Sequence, residues 1–259
     1  MAVDSEAAVT DDAVLGGRLL LRQPRRGHRV GHDAILLAAA TGGAAGEHVV
    51  DLGAGVGAAG LALATRVAGI RVTLLEIDPA LVALAAGNAE RNALADRVRA
   101  VALDVAAPAA AFAAAGLHPE SATRALMNPP FNDPSRTNAS PDPGRRLAHA
   151  ASPGIDVWVA AACRLLRPDG VLTLIWRADG LASALAALGS GFGAIVLLPV
   201  YPRPDAGAIR ILVRAVRGSR AALKILPGLT LNDGSSRPTP EAEAILRGGA
   251  TLSLADAAG

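Results

Sequence analysis

The stretch His48-Val-Val-Asp51-Leu-Gly53-Ala-Gly55-Val-Gly57-Ala-Ala-Gly60 changes character half-way along. Its first five residues are mostly apolar or β-branched around one acid, which suits a short strand over Val49–Leu52. Glycines at 53, 55, 57 and 60 follow, and the alanine-rich run Ala58–Val67 suits a helix. A strand that turns through glycines straight into a helix opens a β-α-β unit. Gly55-x-Gly57-x-x-Gly60 also fits the dinucleotide fingerprint, in which backbone approaches a ligand closely.

The alternation continues outward from this turn. Strands are predicted at Arg71–Ile77, Val98–Leu103, Thr123–Met127, Val171–Trp176, Ala194–Val200 and Ala208–Val216. Helices are predicted at Ala80–Arg91 (opened by Pro79), Ala106–Ala115, Asp156–Leu166 and Leu181–Leu188. Strands alternating with helices predict an α/β fold, a mostly parallel sheet of seven strands with helices on both faces. The core domain spans 17–217. The acidic segment 1–16 is expected to be mobile. The extension 218–259, with a helix start at Thr239-Pro240-Glu241, is expected to pack on the core.

Composition narrows the function. The chain has 51% apolar residues and 28 glycines, which favours close packing of small residues. Cys163 is the lone cysteine, so an intramolecular disulfide and a cysteine-based zinc site are excluded, and no metal is expected. The uncharged run Gly180–Pro202 has membrane-span length but is broken by Gly-Ser-Gly-Phe-Gly, so it reads as helix, turn and strand. The acidic start lacks a signal-peptide pattern, and a cytoplasmic location is expected.

Glu76 ends the second strand of the core, where a carboxylate can accept hydrogen bonds from two ribose hydroxyls. A nucleotide is therefore expected at the glycine turn. An NAD fingerprint normally follows an apolar strand directly, whereas here Asp51 stands two residues before Gly53. This acid-x-Gly-x-Gly loop resembles motif I of class I S-adenosylmethionine methyltransferases. The resemblance implies a Rossmann-like fold and S-adenosylmethionine as cofactor. It implies that Gly53 and Gly55 let the backbone approach the ligand and that Asp51 holds the loop and faces the ligand's cationic end. It also implies that Asp104, ending the third strand, lies near the adenine. Ile77 and Val105, beside the two strand-end acids, complete this predicted shell.

Arg124-Ala-Leu-Met-Asn128-Pro-Pro-Phe131 ends the fourth strand. Two prolines make a rigid elbow, because each lacks an N–H and fixes φ. An exocyclic or amide NH₂ is a poor nucleophile, its lone pair being delocalised. The Asn128 side-chain oxygen and the Pro129 carbonyl can accept hydrogen bonds from such a group and aim its lone pair, while Phe131 supplies a stacking face. Asn128 also borders the cofactor. An Asn/Asp-Pro-Pro-aromatic quartet in this position resembles amino-group methyltransferases acting on planar nitrogens.

Upstream, Gly31-His-Asp33-Ala-Ile-Leu36-Leu resembles the Gly-x-Asp-x-x-Leu-Leu element of bacterial tRNA (adenine-N6) methyltransferases that modify the adenine beside the anticodon of valine tRNA. The resemblance covers about residues 18 to 217. It implies that Gly31 and Asp33 close over the methionine end of the cofactor and that the partner is a tRNA. Phe131 stands where that family usually has tyrosine.

Lys224 is the sole lysine, and the net charge is only +2. Arginines gather in three groups, near the start, after the NPPF quartet, and over 203–220. Arg25, Arg29, Arg145, Arg146 and Arg203 are the predicted phosphate contacts, since arginine offers phosphate a bidentate fork. Other readings stay open: methylation of a glutamine side chain in a translation factor, methylation of a small molecule, or nucleotide binding without catalysis.

Overall fold

The computed structural model describes residues 9–25, 30–131 and 153–255. Eleven strands lie among them. The hairpin of β1 (Val9–Val14) and β2 (Leu19–Pro24) precedes α1 (His32–Ala40). Then come β3 (His48–Leu52), α2 (Ala58–Arg66), β4 (Arg71–Glu76), α3 (Pro79–Arg91), β5 (Val98–Ala102), α4 (Ala109–Ala114) and β6 (Ala122–Met127). After 132–152 follow α5 (Ile155–Leu165), β7 (Leu166–Arg177), α6 (Leu181–Leu188), β8 (Phe192–Tyr201) and β9 (Arg210–Arg217). Two-residue strands β10 (Lys224–Ile225) and β11 (Leu229–Thr230) and helix α7 (Pro240–Leu246) close the described chain.

The main sheet runs β10-β8-β9-β7-β6-β3-β4-β5, with β11 also paired to β8. Seven of its nine strands are the seven read from the sequence. The count rises to nine because β10 and β11 add to the β8 edge from the C-terminal extension. Six of the seven run parallel, and β9 is antiparallel to both β7 and β8. The connection from β8 to β9 has no helix and is too short for a crossover, so the chain must turn back.

Both faces are covered. One carries α1, α2, α3, the hairpin and α7, with Leu36, Leu37, Leu61, Leu74 and Ile245 in its core. The other carries α4, α5 and α6, with Phe112, Trp158, Leu165 and Leu188. Helix α3 begins with the capping Asp78, whose Oδ1 accepts from the Ala80 N–H at 2.8 Å, followed by Pro79. Thr239 caps α7 through the Ala242 N–H at 3.1 Å.

The expected mobile segment 1–16 is corrected over part of its length. Residues Val9–Val14 form an edge strand in register with Leu19–Pro24, and only 1–8 lie outside the described residues. Gly16 and Gly17, both at positive φ, make the turn. Leu19, Leu21 and Gln23 alternate inward and are buried. The hairpin is then tied to α3. Asn88, fully buried, accepts from the Arg22 N–H at 2.7 Å and donates to the Arg22 and Val56 carbonyls, each at 3.0 Å. One turn later Asn92 makes the same two-way contact with Leu20, at 2.9 and 2.7 Å. Acid-rich β1 is no obstacle, because Asp11 pairs with Arg22 and Asp12 accepts from Gln23.

Asn88→Ala strips these backbone groups of their partner. A loss of about 2–3 kcal/mol is expected, from unpaired buried polar groups rather than lost apolar area. Urea unfolding checks it, and a loss under about 0.5 kcal/mol would show the hairpin to be held by its leucines alone.

Candidate active site

The C-terminal ends of β3, β4, β5, β6 and β7 meet at one edge of the sheet, where open α/β sheets bind ligands. The loop after β3 is shaped by three glycines at positive φ: Gly53 (69°), Gly55 (57°) and Gly57 (88°). Their surroundings differ. A Cβ at Gly53 would lie 2.5 Å from the Trp158 ring, one at Gly57 2.8 Å from Leu74, and one at Gly60 2.4 Å from Leu74. These three glycines are demanded by packing. A Cβ at Gly55 would meet nothing within 4 Å. Gly55 therefore borders open space, and that space is the cradle a ligand could fill.

Two carboxylates hold this loop. Asp51 is 2% exposed, and its Oδ2 accepts the Gly60 N–H at 2.9 Å. The expected loop-holding contact is thus present, but the side chain lies beneath the loop instead of lining the open space. Burial pushes its carboxyl up to about 7; the Gly60 N–H opposes the rise and nearby Glu76 adds to it. Glu76 accepts from the Gly55 N–H on Oε2 and from the Ile77 and Asp78 N–H groups on Oε1, all within 3.0 Å. Of about four acceptor sites on a carboxylate, about one remains. A two-hydroxyl contact with a ribose requires one of these N–H groups to yield. Ile77 beyond it is 62% exposed, an apolar surface beside the cradle. Asp104 accepts the Ala106 N–H at 2.8 Å and so caps its own turn, and Val105 is buried under it.

Across the edge, β6 delivers Asn128, Pro129 and Phe131. The Asn128 Oδ1 is buried and has no hydrogen-bond partner. Pro129 is buried, and among the described residues no backbone N–H outside the regular elements donates to its carbonyl. A buried acceptor without a donor costs about 1–3 kcal/mol, which a ligand N–H would recover. The Phe131 ring meets Trp176, at the end of β7, edge-on at 5.4 Å and 67°. Arg210, at the start of β9, lies over the same ring at 4.7 Å and donates to Asp33 at 2.8 Å. Gly31 is exposed at the N-terminus of α1, one residue before the helix that carries Asp33.

The arginines do not form one surface. Arg29, Arg145 and Arg146 lie outside the described residues. Arg25 is exposed and donates to the Val9 carbonyl at 3.3 Å, at the hairpin end that faces the start of α3. Arg203 is exposed on the β8–β9 loop, at the site's end of the sheet. The group over 203–220 is split because β9 traverses the sheet at ~3.3 Å per residue. Arg210 starts at the site, Arg214 is 8% exposed within the sheet, and Arg217 reaches Glu120 and the Leu166 carbonyl at the far end.

Sequence reading missed Trp158, Trp176 and Arg210. The signal was scarcity. The chain has six aromatic residues, and Phe131, Trp158 and Trp176 all stand at this edge. Among the described residues no helix is long and apolar enough to cross a membrane, and no cluster of His, Cys, Asp or Glu could hold a metal.

Residues 30–194, more than half of the chain, match the model of the methyltransferase small domain. The chain belongs to that family. This methyltransferase-family chain is 31% identical over 166 residues to release factor glutamine methyltransferase of Chlorobaculum tepidum, covering 61% of this chain and 55% of the relative. It is 32% identical over 168 residues to tRNA1(Val) (adenine(37)-N6)-methyltransferase of Porphyromonas gingivalis, covering 59% and 60%. The matches thus span little more than half the length of these relatives. A crystal structure of a predicted O-methyltransferase from Agrobacterium tumefaciens superposes with a TM-score of 0.72 at 32% identity, covering 85% of this chain and 98% of that one.

Asp51 supplies a pH test. Its native pKa, about 7, lies above the ordinary 3.8. Between these values the native protein keeps a proton that the unfolded chain has lost. The group's stabilising contribution is therefore full below pH 4 and declines up to pH 7. From pH 5 to 7.5 the wild type is expected to lose about 2–3 kcal/mol more than Asp51→Asn in urea unfolding. Parallel losses would show that Asp51 does not titrate in this range.

Proposed function

We propose that this protein is an S-adenosylmethionine-dependent N-methyltransferase that forms N6-methyladenosine in the anticodon loop of a tRNA. The observation that carries the reading is the buried, partnerless Asn128 Oδ1 beside Phe131, at the end of the strand next to the glycine cradle. Within a methyltransferase-family chain, that orphan acceptor marks where an amino group belongs.

The residues fit the cofactor. Gly55 leaves room for it, Glu76 retains an acceptor for its ribose, and exposed Ile77 with Asp104 offers a place for its adenine. S-adenosylmethionine supplies an electrophilic methyl on a positively charged sulfur. Asn128 Oδ1 and the Pro129 carbonyl accept from the substrate NH₂ and hold its lone pair toward that methyl. The same acceptors stabilise the positive charge that grows on nitrogen. Phe131 stacks on the planar group. No strong base is required before transfer, because the proton leaves after the nitrogen has become cationic.

Two relatives point to different planar amines, an adenine and a glutamine amide. Arg203 at the site's rim and Arg25 on the hairpin favour the RNA, since each phosphate neutralised releases counterions. The Gly-x-Asp-x-x-Leu-Leu element favours it as well. A loop adenine is required, because the base must leave its stack to reach Asn128.

Labelled S-adenosylmethionine is to be incubated with total tRNA and, separately, with a glutamine-containing release factor. Label in tRNA that digests to N6-methyladenosine is the expected result, with binding that weakens steeply as salt rises. Label on the release factor alone overturns the RNA reading. Asn128→Ala is expected to lower kcat by about 10²-fold or more, while the Kd for the demethylated product stays within about twofold. Unchanged turnover would remove Asn128 from the chemistry.

A further inference from the structure

A phenylalanine ring has two faces, and in Phe131 one is taken. The Arg210 guanidinium carbon stands 4.7 Å from the ring centroid, within cation–π range. Trp176 meets the ring in a T-shaped arrangement, centroids 5.4 Å apart. The face under Arg210 is not available to a planar substrate.

The same guanidinium reaches in a second direction. Its Nε donates to Asp33 Oδ2 at 2.8 Å, across 177 residues of sequence. Asp33 lies in the first turn of α1, next to the exposed Gly31. One side chain on β9 thus touches both the aromatic that follows β6 and the helix start opposite it. The two charges are about a quarter exposed, 28% and 26%. An ion pair at that exposure adds little stability. Its consequence is geometric, because a planar fork anchored at Nε has its plane fixed.

We propose that Arg210 is a positioning residue that couples the first turn of α1 to the orientation of Phe131. Through it, filling of the space beside Gly31 and Asp33, where the family resemblance implies the cofactor's methionine end, sets the stacking face on the substrate side. The inference rests on the methyltransferase reading above. Arg210→Lys keeps the charge but has neither the plane nor the fork. Asp33→Asn keeps the shape and one acceptor but removes the charge that holds the guanidinium. Either change frees the ring, and making both frees it no further.

Trp176 is the reporter, since its buried Nε1 has no hydrogen-bond partner and its ring is held by packing against Phe131. Protein labelled with 5-fluorotryptophan gives two ¹⁹F resonances, one per tryptophan, assigned with Trp176→Phe. In the wild type, S-adenosylhomocysteine is expected to shift the Trp176 resonance. In Asp33→Asn and Arg210→Lys that resonance is expected to start displaced and to lose its response. On tRNA, each variant is expected to lower kcat/KM about tenfold, and the double variant about tenfold as well.

A Trp176 resonance in both variants that coincides with wild type, free and with ligand, overturns the proposal. So does a double variant about a hundredfold down. Failure of the tRNA reading has a different signature, with no label on tRNA while the ¹⁹F coupling persists. If S-adenosylhomocysteine fails to bind the wild type, the free-state displacement still decides.

Discussion

One hydrogen bond sets the position of everything at the site: the Gly60 N–H donating to the buried Asp51 carboxyl at 2.9 Å. It joins the end of β3 to the first turn of α2 and forces the intervening loop through left-handed backbone at Gly53, Gly55 and Gly57. Glycine relieves that conformation of a Cβ clash. The bond also brings α2 down on the sheet until Gly60 touches Leu74 and Val72. Glu76 then fixes the loop from the next strand through the Gly55 N–H. Burial, with nearby Glu76 adding to it, raises the proton affinity of Asp51, so the loop's anchor is itself a titrating group.

The aromatic residues divide the remaining labour. Trp158, from α5, packs beneath the loop where Gly53 has no Cβ, and so ties the far face of the sheet to the cradle. Phe131 and Trp176 stand at the ends of neighbouring strands and meet edge-on. Arg210 enters from β9, whose antiparallel course brings its first residue to the edge where its parallel neighbours end. The reversed strand is therefore what puts a cation on the aromatic.

Segments outside the seven core strands frame the site. The hairpin reaches α3 through Asn88 and Asn92, spaced four apart on one helix face. The Gln23 Oε1 accepts the Val30 N–H at 2.8 Å, joining the hairpin to the lead-in of α1. The C-terminal extension adds β10 and β11 to the β8 edge and buries Ile245, Leu252 and Leu254 in the core beneath α1. The Gln23–Val30 bond holds the lead-in to the helix start that carries Asp33, and the Leu252 N–H donates to the Ala39 carbonyl at the other end of α1.

The sequence by itself determined the elements and the chemistry carried on short segments. Asp51 with its glycines, Glu76 at a strand end, and Asn128-Pro-Pro-Phe131 each act within a few residues, where backbone sterics and local hydrogen bonds decide. No helix was predicted between the last two strands, but that β9 reverses was decided by the sheet. Tertiary structure alone decided the rest. That Asp51 is buried, that Asn128 Oδ1 lacks a donor, and that Arg210 meets both Asp33 and Phe131 depend on which strands lie side by side. The β1–β2 hairpin was misread because its acids look solvated when taken alone. They are neutralised by Arg22 and Gln23 on the paired strand, and Asn88, distant in sequence, supplies the backbone partners. Arginines close in sequence along β9 were dispersed for the converse reason: an extended strand carries neighbours apart, and only the sheet fixes which end meets the site.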